Sequence, residues 1–289
     1  MDSDLSRLAE ANRAVLGPLA EHRVLTVTQV AHLLGASQTT TVRRLRELRR
    51  PGVGLVAYER SLRDGPGVAA ITKAGLRALG LDTRQRGVPA RISMTDLHTE
   101  LNPYNRRHDI GVAWLWIAAR QGRFGEPLEI LTERTMISAD RTASYREHRF
   151  SNGSRFYHGL GTGLIGPSGN PRRHYPDLLL TLQSGNRVAV ELELSLKSPR
   201  QIQPIMTAYA SDARVHMVLY FTDSDTIAKA VLAAARRSGI ADLVRVQRIT
   251  ERPAACGTDS PVRLASIRRQ AVGHTISRSA AADRAGAQR

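Results

Sequence analysis

Two apolar segments that each carry carboxylates constrain this chain more than any other feature. They are His174-Tyr175-Pro176-Asp177-Leu178-Leu179-Leu180 and, after Ser184-Gly185-Asn186, Val188-Ala189-Val190-Glu191-Leu192-Glu193-Leu194-Ser195-Leu196-Lys197. The intervening Ser-Gly-Asn reads as the turn of a hairpin. Side chains alternate across a strand, so Val188, Val190, Leu192 and Leu194 face a core while Ala189, Glu191, Glu193 and Ser195 share the other face. Lys197 follows on that face if the strand runs far enough. Pairing the two segments brings Asp177 beside Glu191 and Glu193. Crowded carboxylates repel and desolvate one another, so something positive is expected among them. Oxygen ligands of this kind suit Mg²⁺ or Mn²⁺.

Pro176-Asp177, a gap of about a dozen residues and then Glu191-x-Glu193 resembles the PD-(D/E)xK nuclease core. The resemblance implies metal ligation by Asp177 and Glu191; Glu133, at the end of the preceding strand, reads either as a further metal ligand or a group just behind one, or as a surface carboxylate. It implies a Mg²⁺- or Mn²⁺-dependent endonuclease or nickase, with Asp177, Glu191, Glu193 and Lys197 as the catalytic set. Glu193 stands where that family usually has Lys, which puts catalysis in doubt. Lys197 is offered in its place, and it is one of only three lysines, with Lys73 and Lys229.

The chain has 289 residues, enough for two domains of ordinary size, and a formal net charge of +16. Such a charge favours a polyanionic partner, double-stranded DNA foremost, through counterion release and steering. A single cysteine, Cys256, excludes an internal disulfide framework and multi-cysteine zinc sites. No apolar run approaches a membrane span and the N-terminus lacks a signal pattern, so no membrane partner is expected and the location is read as cytoplasmic, with nucleoid or plasmid.

The N-terminal part reads as helices followed by a wing. A first helix is expected over residues 5–16, ended or kinked by Gly17-Pro18, and a second over 26–34, stopped by Gly35. Ser37 caps a third helix over 38–50, whose apolar stripe is Val42, Leu45 and Leu48. Ser37, Thr40, Arg43 and Arg44 fall away from that stripe and are candidates for the major groove. Strands over 53–59 and 68–72 flank a tip from which Arg60 and Arg63 reach towards DNA. This order resembles a winged helix-turn-helix.

The expected organisation is therefore α/β (α+β). A winged helix-turn-helix spans 1–82, a linker 83–103, a restriction-endonuclease-like αβββαβ domain 104–251, and a basic tail 252–289. A helix beginning near Asn105 leads into a strand at 128–133, the Asp177 and Glu191 strands, a helix over 199–210 and a strand over 215–221, with a last αβ unit beyond. The segment 138–155 reads as a basic insertion suited to backbone or single-strand contact. The glycine-rich run 159–166 reads as a loop, with His158 and His174 at its flanks.

The winged helix, His108 on the following helix, Thr132-Glu133, Pro176-Asp177 and the Val-Glu-Leu-Glu strand together resemble the replication-relaxation family. That family is found on actinobacterial plasmids and other mobile elements. The resemblance implies a DNA-binding role in replication or maintenance, with a nuclease-like domain that grips or nicks DNA. Its rival is a catalytically inactive regulator that uses the second domain for homodimer or partner contacts.

Overall fold

In the computed structural model, residues 10–60, 67–81, 103–142, 158–166, 169 and 171–249 are described. The linker 83–102, the tail 252–289, Arg63, and the insertion from 143 to 155 lie outside them.

The first part begins with α1 (Glu10–Glu21), which continues past Gly17-Pro18 rather than ending there. Proline removes one main-chain bond and costs about 3 kcal/mol in a helix interior. Leu19 and Ala20 beyond it are almost wholly buried, together with Val15 and Leu16, and that packing carries the helix past the break. A short strand β1 (Leu25–Thr26) follows, with Thr26 also capping α2 (Val27–Leu34). The Thr26 side chain accepts from Gln29 N while Gln29 Oε1 accepts from Thr26 N at 2.9 Å, a reciprocal cap. Gly35 closes α2 at φ +59°, a left-handed conformation that suits glycine.

The helix α3 (Gln38–Arg49) buries Thr41, Leu45 and Leu48. The expected stripe is thus shifted: Thr41 is buried, while Val42 is half-buried at its edge. Strands β2 (Val56–Glu59) and β3 (Val68–Ile71) pair antiparallel, and β1 adds to β3, giving the order β1-β3-β2. The helix α4 (Lys73–Ala78) is capped by Thr72 and seated against the sheet at Gly75. A Cβ at Gly75 would lie 2.3 Å from the Leu55 carbonyl oxygen, so only glycine fits there. Leu16, Leu19, Leu25, Leu45, Ile71 and Leu76 fill this core.

The second part is a three-layer α/β arrangement. Its elements are α5 (Pro103–Arg120), β4 (Pro127–Thr132), α6 (Glu133–Thr142), β5 (Leu160–Ile165), β6 (Pro171–His174), β7 (Leu178–Leu182), β8 (Arg187–Glu193), α7 (Pro199–Ser211), β9 (Met217–Thr222), α8 (Asp225–Arg237) and β10 (Val244–Arg248). Five strands form a mixed sheet in the order β10-β9-β8-β7-β4. The first two pairings, β4 with β7 and β7 with β8, are antiparallel; β8-β9 and β9-β10 are parallel. Val188, Val190 and Leu192 pack with Leu115, Trp116 and Ile117 of α5. The alternate residues Leu179 and Ala189 pack with Met206 and Tyr209 of α7 and Val231 of α8 on the other face.

The expected helix-strand-strand-strand-helix-strand order is present as α5-β4-β7-β8-α7-β9, interrupted by α6 and the β5-β6 hairpin. Both insertions correct the sequence reading. Residues 138–142, read as part of a basic insertion, continue α6. The glycine-rich run read as a loop is β5, because Leu160 and Thr162 are buried at a period of two while Gly161 and Gly163 are exposed. Glycines on the outer face masked that alternation.

The two parts abut along α5. Ala113 belongs to the first core, and Gln29 Nε2 donates to the Ile110 carbonyl at 2.8 Å. His22 and His32 sit edge-on to Trp116 and Trp114, with ring centroids 4.9 and 5.6 Å apart. Arg134 donates to the His22 carbonyl at 2.8 Å, and Thr132 to the Glu21 carboxylate at 3.1 Å.

Candidate functional site

The register of β7 on β8 pairs Leu178 with Val190 and so sets Asp177, just before β7, level with Glu191. Asp177, Glu191 and Glu193 are all buried, at 9, 7 and 4 % exposure. A buried carboxylate needs counter-charge or donors, and each of the three has its own.

Asp177 Oδ2 accepts from the Leu192 amide at 2.7 Å and lies 3.2 Å from His108 Nε2 on α5. Burial pushes the Asp177 carboxyl up, but His108 and the Leu192 amide outweigh it and hold it below the usual carboxylate range. Burial likewise disfavours charge on His108, but Asp177, assisted by Asp109, raises its pKa to about 11. His108 is therefore an imidazolium at neutral pH.

Glu191 Oε1 lies 2.6 Å from His174 Nε2 at the end of β6 and accepts from the Tyr209 hydroxyl of α7. A carboxylate acceptor places the ring proton of His174 on Nε2. Burial, reinforced by the Glu191 charge, pushes the Tyr209 hydroxyl well above its ordinary value. Glu193 pairs with Lys197 through one oxygen and accepts from Ser195 Oγ at 3.1 Å through the other. Burial disfavours charge on Lys197, yet Glu193, with Glu191 and Asp177 behind it, raises its pKa.

The structure places Asp177, Glu191, Glu193 and Lys197 near one another. Glu133 needs a correction, since it opens α6 rather than ending a strand. Its amide donates to the Asp177 carbonyl at 3.0 Å and its carboxylate is 3.6 Å from Arg23. Burial and the Asp177 charge raise its pKa, so it stands close to the cluster without joining it. His174 and Tyr209 were missed as members. The signal for Tyr209 lay in its spacing from Ile202 and Met206, which puts a tyrosine on the buried face of α7, where its hydroxyl must find a partner.

A divalent metal does not fit this arrangement. Among the described residues no group of three or more His, Cys, Asp or Glu side chains is arranged to hold a metal ion. Asp177, Glu191 and Glu193 each turn an oxygen to a different donor on a different element, and no chemistry is routed here through Mg²⁺ or Mn²⁺.

The residues proposed for DNA contact lie on another surface. Ser37 Oγ accepts the Thr40 amide and is 3.0 Å from Thr40 Oγ1, so both hydroxyls serve the cap of α3 while remaining exposed. Arg43 is exposed and Arg44 half-buried, and Arg46, Arg49 and Arg50 are exposed beyond them. Arg60 is exposed at the end of β2.

Among the described residues no helix is long and apolar enough to cross a membrane. No curated protein and no solved structure matches the chain. A family model does match, over residues 16–216, which spans α3, His108 and the carboxylate cluster alike, and its description is replication-relaxation. The chain belongs to the replication-relaxation family.

Proposed function

We propose that the protein binds double-stranded DNA in the replication or maintenance of a plasmid or other mobile element. In this reading α1 to α4 with β1 to β3 act as a winged helix-turn-helix, and α3 enters the major groove. The β2–β3 hairpin is the wing, with Arg60 where β2 enters its tip. The second part is a PD-(D/E)xK-like α/β unit that grips the DNA beside it.

One observation carries the reading. The helix α3 follows a tight left-handed turn at Gly35, buries Thr41, Leu45 and Leu48, and leaves Arg43, Arg46 and Arg49 exposed on a short, well-capped helix. A basic helix face presented outward after a helix-turn suits groove binding. The net charge of +16 and family membership support it.

The test is fluorescence anisotropy of the full chain with labelled duplex DNA, single-stranded DNA and duplex RNA at one salt concentration. The reading expects duplex DNA to bind tightest, with cold duplex DNA as the best competitor. Equal affinity for all three, or preference for RNA, would count against groove recognition by α3.

A further inference from the structure

We infer that the Asp177–Glu191–Glu193 cluster is neutralised from within the chain and is not a divalent-metal site. The inference deepens the DNA-binding reading and rests on it for the site's role, which is then to hold a structural unit that grips DNA rather than to cut.

The argument is geometric. Metal-dependent phosphoryl transfer requires carboxylate oxygens that converge on one point and remain open to the ion. Here they diverge. Asp177 turns to α5, where His108 Nε2 lies 3.2 Å away, and takes the Leu192 amide at 2.7 Å. Glu191 turns to the other face, between His174 at 2.6 Å and the Tyr209 hydroxyl. Glu193 turns along the chain to Lys197 and Ser195.

Three elements outside the hairpin and the segment after β8 thus supply partners where an ion would sit. The lysine that the nuclease pattern would place at position 193 is a glutamate, and the lysine four residues on is engaged in pairing with it. The Glu193–Lys197 pair restores local neutrality, but it removes the free ammonium that would meet a phosphate or an attacking water. An ion that engages Asp177 Oδ2 or Glu191 Oε1 must compete with His108, or with His174 and Tyr209, for a buried carboxylate. That exchange strands the displaced groups without partners.

The test titrates the full chain with Mn²⁺ alone, following uptake by loss of the free-ion electron paramagnetic resonance signal. In parallel, Tm is measured without metal for the unaltered chain, Asp177→Asn and Lys197→Met. The inference expects no saturable uptake at micromolar Mn²⁺ and a lower Tm in both variants, by several degrees for Asp177→Asn and less for Lys197→Met. If Asp177→Asn does not fold, Lys197→Met decides. Saturable micromolar uptake that Glu191→Gln abolishes would overturn the inference, as would a Tm that rises when either group is neutralised. Uptake that Glu191→Gln leaves unchanged lies elsewhere and upholds it. Duplex affinity measured on the same samples separates the two claims, because failure of the unaltered chain to bind DNA sinks the earlier reading without altering the metal result.

Discussion

The arginines of α3 and the carboxylates of β7 and β8 treat charge in opposite ways. Arg43, Arg46, Arg49 and Arg50 are exposed and form no ion pair with another described residue. Asp177, Glu191 and Glu193 are buried, and each meets a partner supplied by the chain. Exposed like charges repel and do little for the fold, and in the proposed reading this helix face meets an external anion. Buried charges with internal partners are part of the fold, and removing either partner disturbs it. The first region is open to a ligand; the second is closed around itself.

Variants can break that contrast. The largest expected effect is on the closed side. Asp177→Asn removes the nearer of the two carboxylates facing His108, leaving Asp109 at 3.9 Å, and should lower unfolding free energy by about 3 kcal/mol, the low end for a buried pair because the His108 side chain is 36 % exposed. Chemical denaturation at pH 7 measures this, and an unchanged midpoint would mean that the pair is not formed.

A comparable effect lies where the two parts meet. His22 is buried against Trp116 with its Nε2 unpartnered among the described residues. Burial, against the pull of Glu21 and Asp109, lowers its pKa to about 4 from an ordinary 6.5. Between those values the unfolded chain binds a proton that the folded chain refuses. Stability is thus lost as pH falls from about 6.5 to about 4, by roughly 3 kcal/mol when complete. Comparing the unaltered chain with His22→Leu from pH 7 to pH 4.5 should show this part of the acid limb removed in the variant. Parallel curves would place the acid sensitivity in other groups.

The smallest effect on stability is expected on the open side. Arg43→Ala with Arg44→Ala should lower unfolding free energy by no more than about 1 kcal/mol, since Arg43 is exposed, Arg44 only half-buried, and both lie away from caps and ion pairs. Duplex affinity should nonetheless fall, by roughly tenfold or more if both contact DNA. A stability loss as large as that of Asp177→Asn would erase the distinction between the two regions.

Much of the architecture was legible because it is written in periodicity and punctuation. The alternation from Val188 to Leu194 gave β8 and its two faces, and Gly35 with Ser37 gave the α2-α3 turn. Pro18 does not end α1, because burial of the residues beyond it outweighs the local rule, which sequence alone does not weigh. β5 was hidden by glycines at its exposed positions, and α6 by the polar, basic composition at its end. At the site, Asp177, Glu191, Glu193 and Lys197 are close enough in sequence for a single hairpin to assemble them. His108 and Tyr209 come from separate helices, 69 residues before Asp177 and 18 after Glu191, and His174 from a strand hidden beside β5. Their convergence depends on packing on both sheet faces. The expected metal rested on the carboxylates alone, before these partners were in view.

The measurement that tests the central claim most directly is the salt dependence of duplex affinity for the unaltered chain, the Arg43→Ala/Arg44→Ala variant and Asp177→Asn, each assayed where it is folded. Each phosphate that a variant no longer neutralises should make the slope of log affinity against log salt shallower by about 0.9. The account predicts a slope shallower by up to roughly 2 in the arginine variant and an unchanged slope in Asp177→Asn. An unchanged slope in the arginine variant, or a shift in slope confined to Asp177→Asn, would contradict it.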